Sequence, residues 1–128
     1  MLNEITRSLQ NNPNNRHNFQ GTVLGGRFKE VNNNKGVNEV GHHMPQNAYN
    51  KRKGVSLSDG SALLMTNEDH ALTRTFKANG IKSMKEDINL DAEGRLIRDI
   101  LDIREKFGNK YDEGLIEVIN YFKDLPKY

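Results

Sequence analysis

Two histidine-bearing segments constrain the possible folds of this chain more than any other feature of its sequence. The first is Gly41-His42-His43-Met44-Pro45, and His70 follows 27 residues after His43. Proline has no backbone N–H to donate to a sheet, so Pro45 marks the end of a strand that we predict over residues 37–44. The histidine pair therefore stands at a strand end, where the backbone bends and adjacent side chains can flank one site.

The residues around His70 predict a second strand followed by a helix. Ser58-Asp59-Gly60 is a strong turn signal, and the apolar run over residues 61–65 predicts a short strand. Thr66, with an acidic residue three positions later, has the pattern of a helix N-cap. We predict a helix over residues 67–78 that ends at the following Asn-Gly pair, with His70 in its first turns.

The last third of the chain predicts two amphipathic helices. Apolar residues recur at helical spacing within residues 91–107 and again within residues 115–125. Gly108 and Pro126 follow these stretches and are typical helix stops. We expect both helices to pack over the central unit as a scaffold, and we predict that residues 46–60 form a polar loop.

Residues 1–36 differ from the rest of the chain because they are rich in asparagine and turn-forming residues. Residues 11–15 contain four asparagines and a proline, which favour bends over regular hydrogen-bonded ladders. We predict a short helix over residues 2–9 and otherwise an N-terminal Asn-rich linker or irregular segment over residues 1–36. One domain is expected over residues 37–128. The remaining histidine, His17, lies in the linker, where an isolated histidine usually has no functional role.

The composition excludes several kinds of site. The chain has no cysteine, so disulfides, thiolate metal sites and thiol nucleophiles are excluded. No apolar run approaches the roughly 18 residues of a membrane span, and the first ten residues lack the apolar core of a signal peptide. Basic residues outnumber acidic ones by eight to four in residues 1–60, whereas residues 83–128 hold eight basic and eleven acidic residues. A polyanion would therefore approach the half that contains the histidine pair and Lys51-Arg52-Lys53.

The three histidines suit either metal binding or proton transfer. Neutral imidazole binds transition metals and also accepts a proton near neutral pH, so one ring can hold an ion while another acts as a base. The spacing of the histidines alone also allows two plainer interpretations. The pair could form only a polar rim at the strand end, and His70 could lie only on a helix surface.

Three stretches of the sequence resemble the HNH/endonuclease VII superfamily of nucleases. They are Glu39-Val-Gly-His42-His43-Met44-Pro45, Gly60-Ser-Ala-Leu-Leu-Met65 and Asp69-His70-Ala-Leu-Thr73-Arg-Thr75. The similarity covers roughly residues 37–125 and looks closest to the GHH-type nuclease domains at the C-termini of bacterial polymorphic toxins. It implies an α+β fold in which a ββα-metal (HNH-like) core carries additional C-terminal amphipathic helices.

The resemblance also implies roles for individual residues. His42 and His70 match metal ligands for one divalent ion (Mg²⁺, Mn²⁺, Zn²⁺ or Ni²⁺), and His43 matches the general base. The candidates for substrate binding are two hydroxyl residues and three cations: Thr73, Thr75, Arg74, Lys51 and Arg52. Many members of the superfamily orient the base with an asparagine on the second strand or in the loop before it. Residues 59–61 contain none, so the sequence assigns no partner to the base.

From this resemblance we expect a metal-dependent endonuclease, a DNase toxin domain that hydrolyses the phosphodiester bonds of DNA. Such a domain is a secreted or delivered effector that acts in the cytoplasm of target bacteria and is neutralised by a cognate immunity protein. Two alternatives stay open. One is an RNase that uses the same site, and the other is a non-catalytic, metal-stabilised module that binds nucleic acid.

Overall fold

A small antiparallel sheet lies at the centre of the α+β fold in the computed structural model, which describes residues 1–13 and 23–128. The described elements, in chain order, are α1 (Leu2–Gln10), β1 (Gly25–Arg27), α2 (Phe28–Asn33), β2 (Glu39–His43), α3 (Asn47–Arg52), β3 (Ser61–Thr66), α4 (Asn67–His70), α5 (Ala78–Glu86), α6 (Ala92–Phe107) and α7 (Asp112–Asp124). None of the described helices is both long enough and apolar enough to cross a membrane. The described helices and the three-stranded sheet confirm the predicted α+β class.

Strand β3 is the middle strand of the sheet, and its two neighbours pair with it in antiparallel register. In β2, His42 lies opposite Leu63, and in β1, Gly26 lies opposite Ala62. Every residue of β3 except its last is buried, as expected for a strand that is covered on both faces. Strands β2 and β3 pair directly and α4 follows β3 without a break, whereas α3 lies in the connection between the two strands.

The hydrophobic core lies between the sheet and three of the helices. Its buried residues come mainly from α1, β3, α6 and α7, and include Leu9, Leu63, Ile100 and Ile119. Helix α7 packs directly against β1, where a Cβ atom on Gly25 would overlap the carbonyl oxygen of Gly114 in the helix. Glycine is needed there for this close approach.

The described part of residues 1–36 contains more regular structure than the predicted linker or irregular segment. The predicted short N-terminal helix is confirmed as α1, whose buried side chains at Leu2, Ile5 and Leu9 follow helical spacing and join the main core. Strand β1 and helix α2 also lie in this part of the chain. The division of the sequence at residue 36 stays a prediction, and His17 lies outside the described residues.

Both predicted strands of the central unit and both predicted C-terminal helices are confirmed. The helix cap at Thr66 is confirmed as well, because the Asp69 amide donates a hydrogen bond to Thr66 Oγ1 at 3.1 Å. At the end of α6, the Gly108 amide donates to the Arg104 carbonyl with Gly108 at positive φ, as expected of a helix stop.

The single helix predicted over residues 67–78 is wrong. Helix α4 ends at His70, a series of turns follows, and α5 starts at Ala78. The helix stops because the backbone after it has other partners: the Arg74 amide donates to the Asp102 carboxylate at 2.9 Å. The predicted stop at Gly80 instead lies in the first turn of α5, where a Cβ atom would meet the Thr75 carbonyl oxygen at 2.7 Å.

The polar loop predicted over residues 46–60 is also wrong in part, because it contains α3. The helix carries Asn50, which is completely buried and donates a hydrogen bond to the Pro45 carbonyl oxygen at 3.0 Å. Asn50 also accepts a hydrogen bond from the Tyr128 hydroxyl at 2.9 Å. The contact with the distant Tyr128 helps to stabilise a short helix that local sequence pattern does not indicate.

Candidate functional site

The three predicted site histidines line one open cleft of about 260 Å³ beside the sheet. We call it the histidine cleft, and its lining residues are Phe28, Gly41, His42, His43, Gln46, Asn47, Leu57, His70 and Thr75. His42 and His43 end β2, whereas His70 is the last residue of α4. The β2–β3 pairing and the direct step from β3 into α4 bring these separated residues together.

The rings of His42 and His70 are in contact. Their centroids lie 5.0 Å apart, and the planes meet at 63°. Two imidazoles that bind one tetrahedral ion through Zn–N bonds of about 2.0–2.1 Å hold their centroids roughly 5 Å apart, so the separation of this pair is compatible with a shared divalent ion. The ring of His70 also packs edge-on against Phe76 at 5.1 Å, which limits its rotation.

All three site histidines are held in the neutral form. Burial, together with the neighbouring His70 and His43, lowers the pKa of His42 to about 3. Burial also lowers the pKa of His70 and that of His43 from the usual 6.5, although the Leu57 carbonyl opposes the shift at His43. Neutral imidazole is the form that binds metal ions and accepts protons, so the cleft suits both predicted roles at pH 7.

The ring of His43 is fixed by two contacts that the sequence did not indicate. Its Nε2 lies 2.8 Å from the Leu57 carbonyl oxygen, and its face stacks on Phe28 with centroids 4.1 Å apart. A carbonyl oxygen can only accept, so Nε2 carries the proton and Nδ1 of the neutral ring is left as an acceptor. A backbone carbonyl therefore orients this ring where the superfamily pattern suggested an asparagine.

Asn47 is a further residue of the histidine cleft that sequence reasoning left without a role. Its Oδ1 atom is buried and has no hydrogen-bond partner within the described chain. A buried acceptor without a partner costs about 1–3 kcal/mol, which a bound donor or cation would offset. The Oδ1 atom of Asn47 is therefore available to a hydrogen-bond donor or a cation in the cleft.

The metal-binding capacity of the site rests on few protein ligands. Within residues 1–13 and 23–128, no three His, Cys, Asp or Glu side chains lie close enough together to hold an ion. His42 and His70 would thus contribute two ligands, and an ion bound there would keep several open positions. Catalytic zinc sites usually have three protein ligands and one open position, so oxygen atoms of solvent or substrate would have to complete the shell of an ion held by these two histidines.

The predicted substrate-binding residues divide into two groups. Thr75 lines the histidine cleft, and Lys51 and Arg52 are exposed at the end of α3. Thr73 is only 1% exposed, and its hydroxyl donates to the His70 carbonyl oxygen at 2.8 Å. Neither Thr73 nor Arg74 lines the cleft.

Arg74 instead holds a group of buried carboxylates. Its guanidinium makes ion pairs of 2.8 Å with Asp87 and with Asp99, both almost fully buried. Burial raises the pKa of Asp99 to about 7, outweighing the opposing hydrogen bond and charge of Arg74. The Arg74–Asp87–Asp99 cluster therefore ties the turns after α4 to the end of α5 and to α6.

Comparisons with known proteins leave the family of the chain open. A scan against family models, a search of curated protein sequences and a search of solved structures each found no match. The likeness to GHH-type nucleases therefore stays a prediction from three sequence stretches, and the geometry of the histidine cleft is the independent observation beside it.

We predict that Arg74→Ala destabilises the protein by about 3 kcal/mol at pH 7. Removing the partner of a buried carboxylate usually costs about 3–5 kcal/mol, and proton uptake by Asp99 should keep the loss near the lower end. The matched control is Arg98→Ala, because Arg98 also pairs with Asp87 at 2.7 Å but is 49% exposed. That variant should lose about 0–1 kcal/mol.

Chemical denaturation of both variants measures this difference in unfolding free energy. An Arg74→Ala protein as stable as the wild type would contradict the structural role, and a selective loss of nucleic-acid binding would instead support the role predicted from the sequence.

Proposed function

We propose that the chain is a metal-dependent endonuclease that hydrolyses phosphodiester bonds of DNA at the histidine cleft. The observation that carries this proposal is the approach of two neutral imidazoles, His42 and His70, to a centroid distance of 5.0 Å beside a third imidazole whose Nε2 is held by the Leu57 carbonyl. One-metal phosphodiester hydrolysis needs both kinds of group: ligands for a cation and a separate proton acceptor.

His43 is the proposed general base. With Nε2–H donated to the Leu57 carbonyl oxygen, Nδ1 can take a proton from a water molecule that attacks phosphorus. The Phe28 stack and the carbonyl together fix the ring, so little freedom is lost when the water is positioned. The expected products carry a 3′-hydroxyl and a 5′-phosphate.

His42 and His70 are the proposed metal ligands. A divalent ion held by them supplies, when bound, positive charge that stabilises the charge developing on the phosphate oxygens. His42 is suited to this role because its burial disfavours the protonated form that would compete with a cation. Asn47 Oδ1 is available to accept a hydrogen bond in the same cleft.

The biological setting belongs to the same proposal and rests on the sequence resemblance. We propose a DNase toxin domain that is delivered into the cytoplasm of target bacteria and inhibited by a cognate immunity protein in the producing cell. The uneven charge of the chain supports a polyanionic substrate, because the half with the histidine pair carries the excess of basic residues.

The location of the core favours an enzyme over the alternative of a metal-stabilised binding module. The main apolar cluster is formed by residues such as Leu9, Leu96 and Leu115, and contains none of the described histidines. We therefore expect the fold to persist when an ion is removed, unlike small metal-stapled domains that unfold without metal. The RNase alternative uses the same site chemistry and is separated from the DNase by the choice of substrate.

Activity should depend on pH through the neutral histidines. Because burial lowers the pKa of His43 and of His70 below 6.5, kcat/KM should rise with pH only in the range below 6.5 and be flat from there to about pH 8. Initial cleavage rates of a fluorescent DNA duplex at constant ionic strength measure this profile. An activity that is still rising between about pH 7 and pH 8 would contradict the assignment of His43 as the base.

Replacing the base should separate catalysis from metal binding. We predict that His43→Ala lowers the rate of supercoiled plasmid cleavage by about 10²–10⁴-fold, the usual contribution of a general base, while calorimetry still detects binding of the ion. The control is His17→Ala, a histidine outside the described residues with no proposed role.

The same assay tests the competing functions. Plasmid and RNA are each incubated with Mg²⁺, Mn²⁺, Zn²⁺ or EDTA, and the melting temperature is recorded in EDTA. Cleavage of plasmid that EDTA abolishes without a change in melting temperature supports the proposal. Cleavage of RNA alone identifies an RNase, whereas EDTA-induced unfolding without any cleavage identifies a metal-stabilised module.

A further inference from the structure

A second groove adjoins the histidine cleft. It has a volume of about 350 Å³ and is lined by Gln46, Ala48, Arg52, Thr75, Lys77, Gly80, Ile81, Met84, Lys85 and Ile88. We call it the α5 groove, since most of these residues lie on or beside α5. Gln46 and Thr75 line both depressions, so the α5 groove continues the surface of the histidine cleft.

The charge of the α5 groove is entirely positive. Its charged lining residues are Arg52, Lys77 and Lys85, and in the described part of the chain no Asp or Glu lines either this groove or the histidine cleft. Within the described residues, none of the three cations forms an ion pair with a carboxylate. Cations without carboxylate partners along one groove fit the spaced phosphates of a nucleic-acid strand.

Apolar side chains occupy the space between these cations. Ile81 is 65% exposed and Ile88 is 70% exposed, and Met84 lies between them along the same part of the chain. Exposed apolar groups within a positively charged groove suit a ligand that alternates anionic and less polar parts. A nucleic-acid strand does so, because the sugar rings between its phosphates present carbon-rich faces.

Lys77 is held in a backbone conformation that lysine rarely adopts. Its φ of 50° and ψ of −121° resemble the first central residue of a type II′ turn, a position that glycine dominates. Its ammonium lies over the Phe76 ring at 5.2 Å, and that ring packs against His70. A lysine kept in a strained backbone conformation that glycine would adopt more easily indicates that its side chain has a role in the α5 groove.

We propose that the α5 groove binds the nucleic-acid strand that flanks the phosphate in the histidine cleft. Arg52, Lys77 and Lys85 contact its phosphates, and Ile81 and Met84 pack against its sugars. This inference rests on the proposed nuclease function for its substrate class, but it adds a binding surface that extends the site beyond the scissile phosphate. The substrate is therefore a polynucleotide, and short fragments that cannot reach the groove are bound more weakly.

The test compares the triple variant Arg52→Ala/Lys77→Ala/Lys85→Ala with a matched triple variant, Lys35→Ala/Lys82→Ala/Lys127→Ala. The second variant removes the same number of exposed positive charges from positions that line neither depression. Fluorescence anisotropy measures binding of fluorescein-labelled oligonucleotides of about 20 nucleotides, single-stranded and duplex, in EDTA at several salt concentrations. Cleavage of a dinucleotide and of the long oligonucleotide is measured separately with the metal.

The groove variant should bind the long oligonucleotide at least about tenfold more weakly, and the slope of log K against log salt should fall by roughly 2–3, near one unit for each phosphate that the protein no longer neutralises. Its catalytic deficit should grow with substrate length and be found mainly in KM. In the matched variant, the slope should fall by clearly less than in the groove variant. Equal slopes in the two variants would overturn the proposal and leave the groove to another occupant, such as an acidic protein.

These results separate the two proposals. If the wild type cleaves no nucleic acid but the groove variant alone fails to bind the long oligonucleotide, the nuclease proposal fails and the groove proposal stands. If the wild type cleaves the oligonucleotide and both triple variants bind it equally, the nuclease proposal stands and the groove proposal fails.

A single pair of variants checks the role of Lys77. Lys77→Gly and Lys77→Ala both remove the cation, but only glycine relieves the backbone strain. Both should weaken oligonucleotide binding to the same extent, and Lys77→Gly should melt a few degrees higher than Lys77→Ala. Binding by Lys77→Gly at wild-type strength would contradict a phosphate contact from this residue.

Discussion

The antiparallel pairing of β2 with β3 is the interaction on which the site depends. It sets His42 opposite Leu63 and brings the end of β2 beside the middle strand of the sheet. The same ladder fixes where β3 ends, and the Thr66 cap starts α4 at that point. His70 therefore comes within ring contact of His42, although the two residues are far apart in the sequence. A shift of one residue in this register would turn both β2 histidines to the opposite faces of the sheet.

The segment after α4 is organised by a different force, the need to pair buried charges. Asp87 and Asp99 are almost completely buried, and Arg74 is their shared partner. Removing a partner from a buried carboxylate is costly, and the turns after His70 bring the Arg74 guanidinium to both of them. This places Thr75 at the wall between the histidine cleft and the α5 groove. A buried electrostatic cluster thus shapes a surface that it does not itself line.

Much of the fold could be predicted from local sequence patterns, and the failures have physical causes. The two strands, the Thr66 cap and the C-terminal helices follow from periodicity and turn chemistry, which act over a few residues. Helix α3 and the early end of α4 depend on contacts with distant residues, Tyr128 for the first and Asp102 for the second. The histidines of the cleft could be proposed from spacing, but the partner of His43 could not, because a backbone carbonyl has no sequence signature. The structural role of Arg74 could not be predicted either, because its buried acidic partners lie 13 and 25 residues away in the sequence.

We propose that His42 and His70 share one divalent cation while His43 stays free of it. Anomalous diffraction from crystals soaked in Mn²⁺ or Zn²⁺ tests this claim most directly. Shared coordination predicts a single strong peak in the histidine cleft, about 2.0–2.2 Å from a ring nitrogen of both His42 and His70, with the Leu57 carbonyl still bound to His43. A cleft without a peak at saturating metal, or an ion coordinated by His43, would contradict it.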